Sequence, residues 1–311
     1  MYLLYFLAGF ILLYYGADFL VRGSSSIAAS LGVKKIVVGL TIVALGTSMP
    51  EFVVSFFAAV KKVDDVSVGN IVGSNLANIL LVLGLSSVIR PIKVKRRVFI
   101  LELPVLLLIT VMFVLFCMDG ALEGYEGALM LIVFVVYMTF IIANRRVRYS
   151  ADIDLIPMEK GHIIRNTFFT VLGLLGLVIG GQLTVRGAIG LARAVGISEL
   201  VIGLTIVALG TSLPELFTSV VAVIKKEDEI SIGNIIGSNL FNTAFVLGIV
   251  PMIYSLKIDA HVIRFENILL LCITILFAVF LFIGRSLSRF EGVILLLLYV
   301  LFILNLGFNF I

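Results

Sequence analysis

Residues 39–51 read GLTIVALGTSMPE, and residues 203–215 read GLTIVALGTSLPE. Twelve of the thirteen positions are identical, the exception being Met49 against Leu213. Each copy ends in a glutamate, Glu51 or Glu215, within a long apolar run. A carboxylate at the centre of a bilayer costs on the order of 2.5–3.5 kcal/mol on insertion scales. A chain that carries this cost twice, in the same local sequence, is expected to use it.

The rest of the chain sets that stretch in a membrane. Of its 311 residues, 61% are hydrophobic and 14% charged, whereas soluble domains are nearer about 45–50% apolar and about 25% charged. At about 20 apolar residues per span, the sequence predicts an all-α membrane protein with ten transmembrane helices. They fall at residues 3–31, 33–60, 66–89, 98–117, 124–143, 165–195, 197–224, 230–255, 262–283 and 288–307. The first run has no basic segment before it and no small-residue cleavage site after it, so it reads as a true span and not a signal peptide. Cys117 and Cys272 are isolated, with no CxxC motif and no Cys/His cluster. A disulfide scaffold or a zinc site is therefore not expected, and both thiols read as small buried apolar groups.

The repeat extends well beyond the glutamates, at a constant offset of 164. Gly16 matches Gly180, Arg22 matches Arg186, Lys61–Lys62 matches Lys225–Lys226, and SVGNIVGSNLAN at 67–78 matches SIGNIIGSNLFN at 231–242. Near the ends the offset becomes 165, where Glu126–Gly127 matches Glu291–Gly292. The expected organisation is a first five-helix repeat at 1–143, a connector at 144–164 and a second five-helix repeat at 165–311. Five is odd, so the second half must enter the membrane from the opposite side. That is the inverted-topology repeat of many secondary transporters.

Loop charge sets the orientation. Sixteen Lys and Arg residues fall on one side, among them Lys34, Lys35, Arg90, Lys95 and the Arg145–Arg146 pair; only Lys61, Lys62, Arg193, Lys257 and Arg264 fall on the other. The richer side, with the connector, is expected to be cytoplasmic and both termini extracellular, in a multi-pass protein of the cell membrane. The net charge of +4 sits in these loops beside the membrane and says little about partners. The expected partner is the lipid bilayer, with no nucleic acid, and the oligomeric state is open.

Ala44, Thr47, Ser48 and Glu51 stand at i, i+3, i+4 and i+7, one face of a helix, and Ala208, Thr211, Ser212 and Glu215 repeat it. Pro50 and Pro214 each remove one helical hydrogen bond and free the carbonyl four residues back, on Gly46 or Gly210. The expected result is a kink that exposes backbone oxygens, which survives at membrane depth only where it is buried or lines a cavity. A second stripe runs along GNxxGSNxxN: Asn70, Ser74 and Asn78 in one half, Asn234, Ser238 and Asn242 in the other. Gly69, Gly73, Gly233 and Gly237 allow neighbouring helices to approach closely there.

These groups are all oxygen ligands, with two negative charges and neither thiolate nor imidazole. Such a set suits a hard cation, and calcium takes 6–8 oxygens at flexible geometry, whereas magnesium keeps its waters. Taken singly, an intramembrane Ser, Thr or Asn reads as an interhelical hydrogen bond. The repeated Glu–Pro pairs, with no basic partner in the motif, read as functional. Arg22 reads as a local pair with Asp18 one turn before it. Glu102 and Glu266 read as residues at helix starts. Asp64–Asp65 and Glu227–Asp228–Glu229 read as solvated links.

GTSMPE and GTSLPE, each followed by GNIxGSNLxN, resemble the two alpha-repeats of the calcium/cation antiporter superfamily, most closely its sodium/calcium exchanger branch. The resemblance covers nearly the whole chain. It implies a core from spans 2, 3, 7 and 8, calcium between Glu51 and Glu215, and backbone oxygens of Thr47 and Thr211 completing that site. It implies flanking sodium sites at Ala44, Ser48, Ser74, Ala208, Ser212 and Ser238, near Asn78 and Asn242, and sliding of spans 1 and 6 to switch access. No cofactor is implied beyond the transported ions. Some members carry Asp where this chain has Asn242, including potassium-dependent ones, so two carboxylates here argue against potassium. The neutral ligands favour Na⁺ as the counter-ion, while two glutamates that bind either one Ca²⁺ or two H⁺ would also close a cycle. The short connector leaves no room for a regulatory domain. A cation channel would need no alternating access, and an intramembrane hydrolase would need a His or Lys base that the motifs lack.

Overall fold

The computed structural model of the chain describes residues 1–144, 160–195, 208–259 and 262–309. They form a helical bundle. Eleven helices carry the argument: α1 Tyr2–Ser30, α2 Lys35–Thr47, α3 Met49–Val60, α4 Asp64–Ile89, α5 Val98–Asp119, α6 Gly124–Ala143, α7 Lys160–Ala194, α8 Leu213–Ile224, α9 Asp228–Ile253, α10 Asn267–Gly284 and α11 Arg289–Asn309. Eight of them are long and apolar enough to cross a membrane, and α2 with α3 makes a ninth span bent by 47°. Of the span expected at 197–224, only residues from 208 on are described, as a short helical piece at Ala208–Gly210 followed by α8. The connector likewise lies mostly outside the described residues.

Lipid tails are as apolar as leucine, so helices in a bilayer associate through close packing and hydrogen bonds rather than through hydrophobic burial. The packing here runs along glycine seams. A Cβ built on Gly16 of α1 would lie 2.9 Å from the Gly173 carbonyl of α7, and one on Gly180 of α7 would lie 2.9 Å from the Gly9 carbonyl of α1. Any side chain at these positions would force the two helices apart. Gly127 of α6 meets the Gly248 carbonyl of α9 at 2.6 Å, and Gly292 of α11 meets the Gly84 carbonyl of α4 at 2.8 Å by the same construction. Gly233 and Gly237 of α9 receive α2 in this way, against Ile36 and Leu40. The corresponding partner of Gly69 and Gly73 lies outside the described residues.

Two short ribbons obey the same repeat. β1 Ile92–Lys93 pairs antiparallel with β4 Ser286–Leu287, and β2 Ala121–Leu122 pairs antiparallel with β3 Leu256–Lys257. The offset of 164–165 turns β1 into β3 and β2 into β4, so it exchanges one ribbon for the other. α5 separates β1 from β2, which puts the ribbons at opposite ends of that span. Each ribbon is anchored by an aspartate from the other half. The Lys257 N–H donates to Asp64 Oδ2 (3.1 Å), and the Lys93 N–H donates to Asp228 Oδ2 (3.2 Å). Lys62 and Lys226, with φ of 60° and 62°, end α3 and α8 in the same left-handed turn.

Several sequence readings need correction. Glu227, Asp228 and Glu229 are not a solvated link: they pair with Lys35 (2.7 Å), Arg90 and Lys95. Asp64 is tied to the backbone of β3. Glu102 is held by Arg97, whose Nε lies 3.0 Å from Oε1, rather than by a helix N-terminus. Cys117 is buried as expected, whereas Cys272 is exposed on the outside of the bundle, where apolar surroundings need no core. Asp18 does pair with Arg22 (3.0 Å), and it also pairs with Lys225 from the turn after α8.

Candidate ion-binding site

The kink forms where the prolines predict it. α2 stops at Thr47, Ser48 takes φ −86° and ψ 5°, and α3 starts with Pro50 in its first turn. In the second half Ser212 takes φ −86° and ψ 3° ahead of Pro214. Pro50 has no N–H to give Gly46, and the ladder resumes when Phe52 N–H donates to the Ser48 carbonyl (3.1 Å), as Leu216 N–H does to Ser212 (3.0 Å). Two loose helical segments complete the layer. α4 widens at Asn78–Leu83, and α9 widens at Phe241–Val246. Such π-type bulges recur at functional sites.

Each kink aims a glutamate at the other half. Glu51 and Glu215 are 0% and 1% exposed. The Ser48 hydroxyl donates to Glu215 Oε1 (2.8 Å), Ser238 reaches the same oxygen at 3.4 Å, and Ser212 reaches Glu51 Oε1 at 3.5 Å. Oε2 of each glutamate is buried and accepts no hydrogen bond from the described residues. Neither glutamate belongs to an ion pair among the described residues. Among the described residues, Ser74 Oγ, Thr211 Oγ1, Asn78 Oδ1 and Asn242 Oδ1 are likewise buried without a hydrogen-bond partner. Burying a polar group without a hydrogen bond costs on the order of 1–3 kcal/mol, and four of these six oxygens form two repeat-matched pairs, on Glu51 with Glu215 and on Asn78 with Asn242.

The remaining residues of the two stripes divide. The Thr47 hydroxyl lies 3.1 Å from Asn234 Oδ1 and 3.3 Å from the Ala44 carbonyl, which also accepts Ser48 N–H (3.0 Å). Ala208 lies at the edge of the described residues. Asn70 does not reach the glutamate oxygens: it donates to the Glu51 carbonyl (3.2 Å) and to Ser55 Oγ (2.9 Å), joining α3 to α4. Asn234 makes the matching bond to Ser219 Oγ (3.0 Å). The stripe reading missed Asn75 and Asn239. They sit next to Ser74 and Ser238, about 100° around the helix, and bond the amides of Asn242 and Asn78. Their occurrence in both copies of GSNxxN was the available signal.

Comparison with known proteins gives the family. The sodium/calcium exchanger protein family matches residues 1–143 and 165–308. The chain belongs to the sodium/calcium exchanger family. Sodium/calcium exchanger MaX1 of Methanosarcina acetivorans is 32% identical over 320 residues, covering 91% of each chain. Inner membrane protein YrbG of Escherichia coli is 35% identical over 280 residues, covering 88% of this chain and 86% of its own. A solved structure of the sodium-calcium exchanger NCX_Mj superposes with a TM-score of 0.86 at 33% identity, over 97% of this chain and 98% of that one. Membership makes this family member a multi-pass membrane transporter rather than an enzyme.

Proposed function

We propose that the chain is a secondary active antiporter that exchanges Ca²⁺ for a monovalent cation, with Na⁺ as the favoured counter-ion and H⁺ as the alternative. The observation that carries this reading is the buried layer of unpartnered oxygens around Glu51 and Glu215. Two carboxylates supply the charge a divalent ion needs, and Ser74, Thr211, Asn78 and Asn242 offer neutral oxygens of the kind calcium accepts. Thr47, Ser48, Ser212 and Ser238 flank them, with the backbone at Ala44 and Ala208. Asn78 and Asn242 are both amides, so the site has two carboxylates, which argues against a potassium site. The same oxygens serve calcium or the counter-ion in turn, which couples the fluxes. A channel would not need the duplicated, exchanged architecture.

The ten-span, two-repeat organisation at 1–143 and 165–311 fits the exchange of the two ribbons by the repeat offset. Alternating access would move α1 and α7 together along their glycine seam. Among the described residues, the polar ties of α1 to α8 and the turn after it lie in its second half. Lys225 pairs with Asp18, and Ser25 donates to Glu227 Oε1 (2.9 Å). Gln182 and Val63 occupy the matching positions of Asp18 and Glu227, so the mirror contacts lack carboxylates. By the charge bias, the tied end is cytoplasmic.

Two measurements test this. In proteoliposomes, calcium uptake is expected to require an opposing gradient of a second cation, imposed as sodium or as pH in separate arms; uptake indifferent to both gradients would mean a channel. In intact cells, a cysteine at position 152, in a chain with Cys117 and Cys272 replaced by alanine, is expected to resist a membrane-impermeant thiol reagent. Ready labelling would reverse the orientation and place both termini inside.

A further inference from the structure

Each copy of GSNxxN holds a middle asparagine that the ligand stripes leave out. Asn78 Nδ2 donates to Asn239 Oδ1 (3.0 Å), and Asn242 Nδ2 donates to Asn75 Oδ1 (3.2 Å). The donor ends of the middle pair are engaged as well: Asn75 Nδ2 donates to Thr243 Oγ1 (2.7 Å), and Asn239 Nδ2 donates to the Asn75 carbonyl (3.3 Å). All four asparagines are buried.

A primary amide has a donor end and an acceptor end of nearly the same size, and the network around it selects which way it faces. Only the acceptor end can ligate a cation. Here the acceptor ends of Asn75 and Asn239 take the N–H groups of Asn242 and Asn78, and Oδ1 of both Asn78 and Asn242 is left buried and unpartnered among the described residues. We propose that Asn75 and Asn239 are positioning residues that lock Asn78 and Asn242 with their oxygens toward the cation. The inference rests on the transport reading above. It adds that the ligands are oriented crosswise, since Asn239 of the second half sets Asn78 of the first and Asn75 of the first sets Asn242 of the second.

Loss of an outer group that orients a metal ligand typically lowers affinity about 10–100-fold. Asn239→Leu in the full-length protein is therefore expected to weaken equilibrium calcium binding by that order, because the Asn78 amide is free to turn its N–H toward the site. The decisive readout is rescue. A carboxylate presents oxygen whichever way it turns, so Asn78→Asp in the Asn239→Leu chain is expected to restore most of the lost affinity, and to add clearly less in the parent chain. A purely structural role for Asn239 would not be repaired at position 78. Equal effects of Asn78→Asp in the two backgrounds, or binding within about twofold of the parent in Asn239→Leu, overturns the inference. Should Asn239→Leu not be recovered folded, Asn239→Ser has a side chain too short to hold Asn78 and carries the same comparison. A parent chain that binds no calcium overturns the transport reading and this inference together; binding without coupling between positions 78 and 239 overturns the inference alone.

Discussion

Glu51→Gln and Glu215→Gln are each expected to reduce calcium uptake into proteoliposomes to background while leaving the protein at least as resistant to heat as the parent. The two halves of this expectation come from the same geometry. Ser48 donates to Glu215 Oε1 at 2.8 Å and Ser212 reaches Glu51 Oε1 at 3.5 Å. A glutamine of equal size offers the same carbonyl oxygen to each hydroxyl, so the packing and these bonds persist. What disappears is one of two charges facing a divalent ion in a buried layer. The lost charge is also a relief to the fold, since an ionised carboxylate at membrane depth costs on the order of 2.5–3.5 kcal/mol. Activity and stability should move in opposite directions, a pattern that misfolding cannot produce. The chain has no Trp, so stability is best followed as the fraction that stays monodisperse in detergent after heating. Normal calcium flux in either variant would remove the glutamates from the site.

Much of this was legible in the sequence, for a definable reason. The repeat, the helix face bearing Glu51 and the proline kink are properties of a single segment, and local periodicity reports single segments well. The 47° bend between α2 and α3 and the backbone of Ser48 and Ser212 follow from Pro50 and Pro214 alone. Contacts between segments were less accessible. Glu227, Asp228 and Glu229 look the same in sequence whether solvated or paired, and their partners Lys35, Arg90 and Lys95 are more than 130 positions away. Asn75 and Asn239 were passed over because they lie off the stripe of Ser74 and Asn78. Only the crossing of α4 with α9 turns that off-stripe position toward the other half. Asn70 fails in the opposite sense: it shares the stripe but bonds Ser55 and the Glu51 carbonyl, so a common helix face did not guarantee a common role.

The second large effect concerns the ion that drives the cycle. Four serines, Ser48, Ser74, Ser212 and Ser238, surround the glutamates in matched positions, and three of them reach a carboxylate oxygen. Ser74 Oγ is buried with no partner among the described residues. A proton needs one basic oxygen, and the glutamates provide that without help. A sodium ion needs several oxygens at once, mostly neutral ones when the carboxylates are shared with calcium. The serines therefore have a ligand role if Na⁺ is the counter-ion and no comparable role if H⁺ is. Replacing Ser74 and Ser238 together with alanine is expected to depress sodium-driven calcium flux several-fold more than it weakens calcium binding, because calcium retains Glu51, Glu215 and the amide oxygens of Asn78 and Asn242. The assay imposes an outward sodium gradient at constant pH, and then a pH gradient without sodium. Flux that follows the pH gradient, ignores sodium and survives both serine changes would identify proton-coupled exchange and leave the four serines as helix-packing residues.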